Sequence, residues 1–363
     1  MAIVLLAAPA ALRAGSGDEE DETPQKPVFR TGMAYESNIF EVNQHREAPS
    51  AAWYQESDLK VARPLRFADG SVAATFHGAT KLFFGPSQLD EYRIQPGLTW
   101  EAVQEKDSNL LLDIRAARFS EPVGAAFLQR QPLVAVPGWS GGAGWKWERD
   151  VTEKTTLKWT GGAELQAFDS FAGSNLEIKT RAELVRGLTE GVKWTVATEW
   201  AYQHYRERPQ DDESVLNPSR LSTVEGRAVT GLELNLGNDW HAELEMNGGY
   251  NGDLTNGYYD ASVLGARVEL RWEKGPWTVK AVAEPEQVWF RRRPANIDVA
   301  HRVLSTQEYV FELRIDYSWS ERVTVFCQHS IHVQRTNSDE SLSDATLNRF
   351  NDQIGNAGFA ITF

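Results

Sequence analysis

Residues 193–203 read Lys193-Trp194-Thr195-Val196-Ala197-Thr198-Glu199-Trp200-Ala201-Tyr202-Gln203. Trp194, Val196, Thr198, Trp200 and Tyr202 occupy one set of alternate positions, and Lys193, Glu199 and Gln203 fall in the other. A period of two is the period of a β-strand with one apolar and one polar face. Wound as a helix, the same residues would scatter apolar groups over the whole surface. Residues 174–187 repeat the pattern, with Leu176, Ile178, Thr180, Ala182 and Leu184 opposing Glu177, Lys179, Arg181 and Glu183. Residues 258–272 do so again, with Leu264, Ala266, Val268 and Leu270 opposing Arg267, Glu269 and Arg271.

Extended along the chain, this pattern gives sixteen segments. They lie near 28–40, 56–67, 71–83, 90–103, 108–120, 138–149, 154–168, 174–187, 191–206, 222–236, 239–250, 258–272, 276–290, 305–318, 321–334 and 351–363. Most hold about 12–16 residues, against about 5–6 for strands of soluble proteins. A tilted strand needs about 9–11 residues to cross the hydrocarbon of a bilayer. The connections alternate in kind. Ala68-Asp69-Gly70, Leu188-Thr189-Glu190, Gly237-Asn238, Glu273-Lys274-Gly275 and Trp319-Ser320 have tight-turn composition. The segments 41–55, 121–137, 207–221, 291–304 and 335–350 are long. Short turns at one end and long loops at the other are the arrangement of a transmembrane antiparallel β-barrel, with the short turns periplasmic and the long loops extracellular.

The aromatic residues supply a separate test. Trp194, Trp240 and Trp277 open segments at the short-turn end, and Trp100, Trp147, Trp272, Trp319 and Phe363 close segments there. Trp139, Trp200, Tyr202, Tyr250, Tyr259, Trp289 and Tyr309 fall at the other end. Two girdles are what a membrane with two interfaces selects.

The ends of the chain agree with an exported protein. Residues 2–12, Ala-Ile-Val-Leu-Leu-Ala-Ala-Pro-Ala-Ala-Leu, form a short apolar core before Arg13-Ala14-Gly15, although the usual basic region is absent. Residues 1–14 are therefore expected to be a signal-peptide-like segment, 15–27 an acidic periplasmic tail, and 28–363 one outer-membrane barrel. The last residues, Gly355-Asn356-Ala357-Gly358-Phe359-Ala360-Ile361-Thr362-Phe363, alternate and end on an aromatic. This resembles the C-terminal signal of bacterial outer-membrane β-barrels. The first segment, with Tyr35-Glu36-Ser37-Asn38-Ile39-Phe40, resembles the opening strand of β-barrel porin families whose cargo is not settled. The resemblance implies class rather than cargo.

In a membrane barrel the lipid side must be apolar, so the polar alternates point inward. The expected pore-lining set is Glu101, Asp113, Arg115, Lys158, Glu164, Glu177, Lys179, Arg181, Glu199, Glu225, Arg227, Glu243, Arg267, Glu269, Lys280, Glu284, Glu312 and Arg314. So many charges cannot occupy a dry core, because each unpaired ion costs several kcal/mol. The lumen is expected to hold water or a polar plug, and sixteen strands leave room for an aqueous channel. Residues 121–137 include Phe127, Leu128 and Leu133, which are poorly suited to solvent. With sixteen strands, this third long loop resembles the constriction loop of general porins. It implies Glu121, Phe127, Gln129 and Arg130 near an eyelet, with packing on the rim or a neighbouring subunit as the alternative. Arg291, Arg292 and Arg293 at the outer end are expected either to contact lipopolysaccharide phosphates or to be solvated.

Composition removes other classes. The net charge of −14 leaves no basic face for nucleic acid. A single cysteine, Cys327, excludes an internal disulfide, a CxxC redox site and a Cys-rich zinc site. Gly138-Trp139-Ser140-Gly141-Gly142 matches G-x-S-x-G, but the sequence continues as a strand rather than entering the helix that a nucleophile elbow requires. His329 and His332 are three apart on a strand and face opposite sides, so they cannot share a metal. His77 or His241 could join an acid in a hydrolase, yet no spacing selects a triad. The sequence thus points to a non-enzymatic outer-membrane porin for small hydrophilic solutes, without cofactor or metal. The expected partners are outer-membrane lipid and lipopolysaccharide, and further copies of the chain, as in a trimer. A scaffold barrel filled by a lumenal partner protein is the alternative, and an outer-membrane hydrolase the remote one.

Overall fold

A computed structural model describes residues 26–37, 51–65, 72–85, 89–105, 107–123, 134–169, 174–205, 221–254, 260–294, 303–337 and 350–363. Sixteen strands occur in chain order: β1 (Val28–Glu36), β2 (Ala52–Pro64), β3 (Val72–Phe83), β4 (Glu91–Glu105), β5 (Ser108–Val123), β6 (Val134–Thr152), β7 (Thr155–Phe168) and β8 (Asn175–Thr189). They continue as β9 (Val192–Tyr205), β10 (Leu221–Gly237), β11 (Trp240–Asp253), β12 (Ala261–Lys274), β13 (Trp277–Pro294), β14 (Val303–Ser318), β15 (Val323–Thr336) and β16 (Phe350–Thr362). Each pairs antiparallel with its sequence neighbours, and β1 pairs with β16, so the sheet closes into a barrel. Closure leaves no strand edge, which is the condition for carrying a sheet through hydrocarbon.

The seam joins the two ends of the chain. Val28 stands opposite Thr362, and the Phe363 amide donates to the Pro27 carbonyl at 2.9 Å. Gly32 and Gly358 are direct partners there, and a Cβ on Gly358 would strike the Thr31 carbonyl and the Gly32 backbone. The missing side chains let β1 and β16 approach.

The turns at the seam end are short because their residues accept the left-handed region. Asn238 and Asp239, with φ of 50° and 68°, join β10 to β11, and both central residues of a type I′ hairpin need positive φ. Gly191 and Gly275 supply positive φ in the turns before β9 and β13.

Several strands run further than alternation alone indicates. β2 begins at Ala52 rather than 56, and β6 spans 134–152 rather than 138–149. β13 continues through Arg291 to Pro294, so the connection expected from 291 starts later. Cross-strand hydrogen bonding extends each hairpin past the point where side-chain contrast fades.

The outer surface is apolar. Ile114, Leu165, Met246 and Leu264 are each at least half exposed. Burying such area is worth about 25 cal/mol per Å², so a continuous belt of it is a lipid-facing surface rather than a water-facing one. Girdle aromatics pack in pairs along this belt. Trp240 lies 6.3 Å from Trp272 and Trp277 4.6 Å from Tyr317 at the short-turn end, and Tyr35 lies 5.1 Å from Trp53 at the other. With no water at hand, indole N–H groups bond within the wall: Trp159 to Thr180 Oγ1 at 2.7 Å and Trp194 to Thr230 Oγ1 at 3.1 Å.

Candidate functional site

The candidate site is the inner wall. Directly opposed residues of an antiparallel pair share a face, so one inward residue assigns the rest. Arg181 on β8 opposes Glu199 on β9, which opposes Arg227 on β10. Glu233 opposes Glu243, which opposes Glu269. Arg271 opposes Lys280, which opposes Arg314. Like charges therefore stand in rows, three carboxylates on β10–β12 and three cations on β12–β14. Glu164 and Glu177 form another like-charged pair.

Opposite charges meet along strands and on diagonals. Lys179 pairs with Glu177 at 3.0 Å, Arg267 with Glu269 at 2.8 Å, and Arg314 with Asp316 at 2.9 Å, each two residues away on the same face. Arg181 contacts Glu183 at 2.7 Å and also Glu199, and Arg227 contacts Glu225 and, at 3.3 Å, Glu286. Lys280 reaches Glu269 at 3.1 Å, Arg267 reaches Glu284 at 3.4 Å, Arg115 reaches Glu164 at 3.2 Å, and Lys158 reaches Glu183 at 3.9 Å. Several of these groups remain wet. The Lys193 and Glu233 side chains, paired at 3.0 Å, are 55% and 56% exposed.

Towards the long-connection end the inner wall changes character. Ala34, Ala52, Tyr54, Phe83 and Leu89 form one buried cluster, and Ala261, Val263, Val288, Phe290 and Leu304 another. Beside the first, the Lys81 ammonium lies 3.1 Å from Glu36 and 3.8 Å from Glu91, and 4.2 Å above the Tyr54 ring. Asn356 donates to Glu56 at 2.8 Å, and Ser37 donates to Asp352 at 3.1 Å. Alternation did not single out Glu56 or Glu91, because both lay at the edges of their expected segments. Nor did it indicate apolar inward clusters at this end. The signal was Phe83, Phe290 and Leu304 at inward parity, outweighed by the polar majority.

Neither a protein-family model nor a curated protein matches the chain. Among solved structures it is similar to OccAB1 of Acinetobacter baumannii, with a TM-score of 0.55 at 9% identity, covering 93% of this chain and 96% of that one. It is also similar to OccAB3 of the same organism, with a TM-score of 0.54 at 6% identity, covering 93% and 98%. The fold is that of a bacterial outer-membrane β-barrel. The apolar belt and two girdles place the protein in the outer membrane, and its short turns mark the periplasmic end.

In this outer-membrane barrel the registers put Glu101, Asp113, Arg115, Lys158, Glu164 and Glu177 on the inner wall. They put Lys179, Arg181, Glu199, Glu225, Arg227 and Glu243 there as well. Arg267, Glu269, Lys280, Glu284, Glu312 and Arg314 complete the set. The expected loop 121–137 is shorter than its sequence indicated, because the β5–β6 ladder runs on to Val123 and Val134. Glu121 is consequently a strand residue. Its side chain accepts from Gln166 at 2.6 Å and stands 3.8 Å from Arg93. Phe127, Gln129 and Arg130 lie outside the described residues. Arg291 is an outward-facing residue at the outer end of β13. Arg292 and Arg293 are strand residues whose side chains are not described.

The residues raised for hydrolysis are dispersed. Ser140 lies inside β6, opposite Ala117 and Gln166, so the strand runs straight where an elbow would turn. His77 meets Asp58 at 2.5 Å and His332 meets Glu308 at 2.8 Å, both on the inner wall. His77 is not hydrogen-bonded to a serine or threonine hydroxyl among the described residues. His204 does contact Ser222 Oγ at 2.7 Å, on the outer face.

Proposed function

We propose that this barrel is a porin for the passive diffusion of small hydrophilic solutes or ions. The observation that carries the reading is that inward-facing ions stay partly exposed along the wall, from Lys193 at the short-turn rim (55%) to Arg115 (41%) and Lys179 (44%) within it. Ions held that way need water beside them, since burial would cost several kcal/mol per charge. The rows of like charge support continuity of that water along the wall. Among the described residues inward-facing carboxylates outnumber inward-facing bases, which favours cations, with the charges at the narrowest level dominating.

Two apolar inward clusters near the outer end favour a second reading, a scaffold barrel whose lumen is occupied by a partner protein. Conductance in a planar bilayer separates the two. The porin reading expects steady ohmic steps from the purified barrel, and a reversal potential in a KCl gradient of the sign for cation preference. Absence of steps from folded, inserted protein would discard the porin reading. Narrowing by the connection 124–133 belongs to the same proposal. Deleting 125–132 should raise the single-channel conductance, and an unchanged value would remove the narrowing. A lipase and protease assay on the same preparation tests the hydrolase reading, for which no activity is expected.

A further inference from the structure

The outward wall carries charge of one sign at its outer end. Among the described strand residues there, the outward-facing ionised side chains are Arg118, Arg291 and Arg335, and none is a carboxylate. In a chain with 51 acidic and 37 basic residues, the carboxylate that does meet this surface, Asp169, lies just past the end of β7. Arg118 is already matched, donating to both Asp169 oxygens at 3.0 and 2.6 Å while lying 4.7 Å from the Trp139 ring. Arg291 and Arg335 have no carboxylate partner among the described residues.

Both are instead held by girdle aromatics. Arg291 lies 4.6 Å over Tyr250, and Arg335 lies 6.0 Å from the centre of Tyr309. Stacking holds a guanidinium by its face and leaves its donor edge free. Between them a polar ribbon crosses the lipid-facing wall, with Gln287, Gln307 and Arg335 direct partners on β13, β14 and β15. Gln287 donates to the Thr306 carbonyl at 2.9 Å, which leaves its amide oxygen open. Gln307 accepts from the Tyr309 hydroxyl at 3.4 Å, which leaves its amide N–H groups open. Amides and guanidinia on an outward wall are costly against hydrocarbon and favourable at headgroup depth. Free guanidinium edges match phosphate, and open amide donors and acceptors match sugar hydroxyls.

We propose that the outer ends of β13–β15 form a docking surface for the phosphorylated saccharide headgroup of an outer-leaflet glycolipid, with Arg291 and Arg335 taking the phosphates and Gln287 and Gln307 the sugar. The surface lies outside the lumen, so it stands whether or not the barrel conducts.

The test uses the full-length barrel in detergent micelles, its fold verified by heat-modifiable gel mobility. A diphosphorylated acyl-glucosamine disaccharide lipid, its dephosphorylated form and dioleoyl phosphatidylglycerol are titrated separately, and bound lipid is counted by native mass spectrometry. Wild type should retain the diphosphorylated glycolipid and release the other two. The double variant Arg291→Gln/Arg335→Gln should lose affinity by about tenfold or more, while Arg118→Gln, whose arginine is matched to Asp169, should retain it. Equal retention by the double variant overturns the proposal. Equal retention of phosphatidylglycerol by wild type overturns its saccharide part.

Discussion

Lys280 on β13 and Arg314 on β14 are direct cross-strand partners on the inner wall, two cations side by side. Neither turns to the other. Lys280 reaches Glu269 at 3.1 Å, and Arg314 forks onto Asp316. Glu269 also holds Arg267 at 2.8 Å, so a single carboxylate tempers two cations in this sector.

Removing that carboxylate should move selectivity. A unit charge about 8 Å from a permeating ion across water is worth about 0.5 kcal/mol, or about a twofold change in partition. Because the two ions shift in opposite directions, Glu269→Gln is expected to lower the potassium-to-chloride permeability ratio by about fivefold, and Lys280→Gln to raise it. Reversal potentials in a salt gradient measure both, and shifts in one common direction would contradict the assignment of these groups to a conducting lumen.

The faces of a single strand should respond to arginine in opposite ways. Ile114 sits mid-strand on β5, facing outward and 57% exposed. Ile114→Arg should cost about 2–4 kcal/mol in lipid. Ser330→Arg, on the inner wall opposite Glu312, should fold like wild type. Urea unfolding in vesicles gives both numbers, and equal losses would reject the inside–outside assignment.

The seam should not tolerate a side chain at Gly358. A Cβ there meets the Thr31 carbonyl and the Gly32 backbone, contacts that cannot rotate away. Gly358→Val is expected to cost about 3 kcal/mol or more and to abolish the compact, heat-modifiable band on unboiled gels. Gly85→Val, where a Cβ meets nothing within 4 Å, is the control.

Acid should loosen the rim at Asp169. Hydrogen bonds from Arg118 hold its carboxyl below the usual aspartate value. A depressed folded-state value means that the pairing contributes above the unfolded value and is lost as pH falls through the folded one. The group is exposed, so the contribution is small. Asp169→Asn should leave stability near neutral pH almost unchanged and remove part of the decline below about pH 4, as followed by tryptophan fluorescence. An identical acid limb in the variant would show that the pair is not linked to folding.

Much of the barrel was legible because a strand writes its two faces into alternate residues. Trp194 to Tyr202 declared lipid, and Glu177 to Glu183 declared lumen, without knowledge of any neighbour. Strand ends were less legible. Ala52 to Gln55 pair with β1 through backbone hydrogen bonds that any side chain permits, so the start of β2 left no mark. Arg291 looked like loop for the same reason. The Lys81 cluster was also out of reach. Glu36, Glu56, Lys81 and Glu91 converge only through the registers of β1 to β4, and Asp352 on β16 joins them only because the two ends of the sheet meet.

The sequence by itself determined the strand class, the strand number and the inward or outward sense of nearly every side chain, because those follow from a local period of two set by lipid on one side and water on the other. Only the closed sheet decided which charges face one another. Register is a property of neighbouring strands rather than of one strand. It set Glu233 beside Glu243, Lys280 beside Arg314 and Gly32 beside Gly358, and it lined up Gln287, Gln307 and Arg335 on a wall that each strand alone would have left as isolated polar residues.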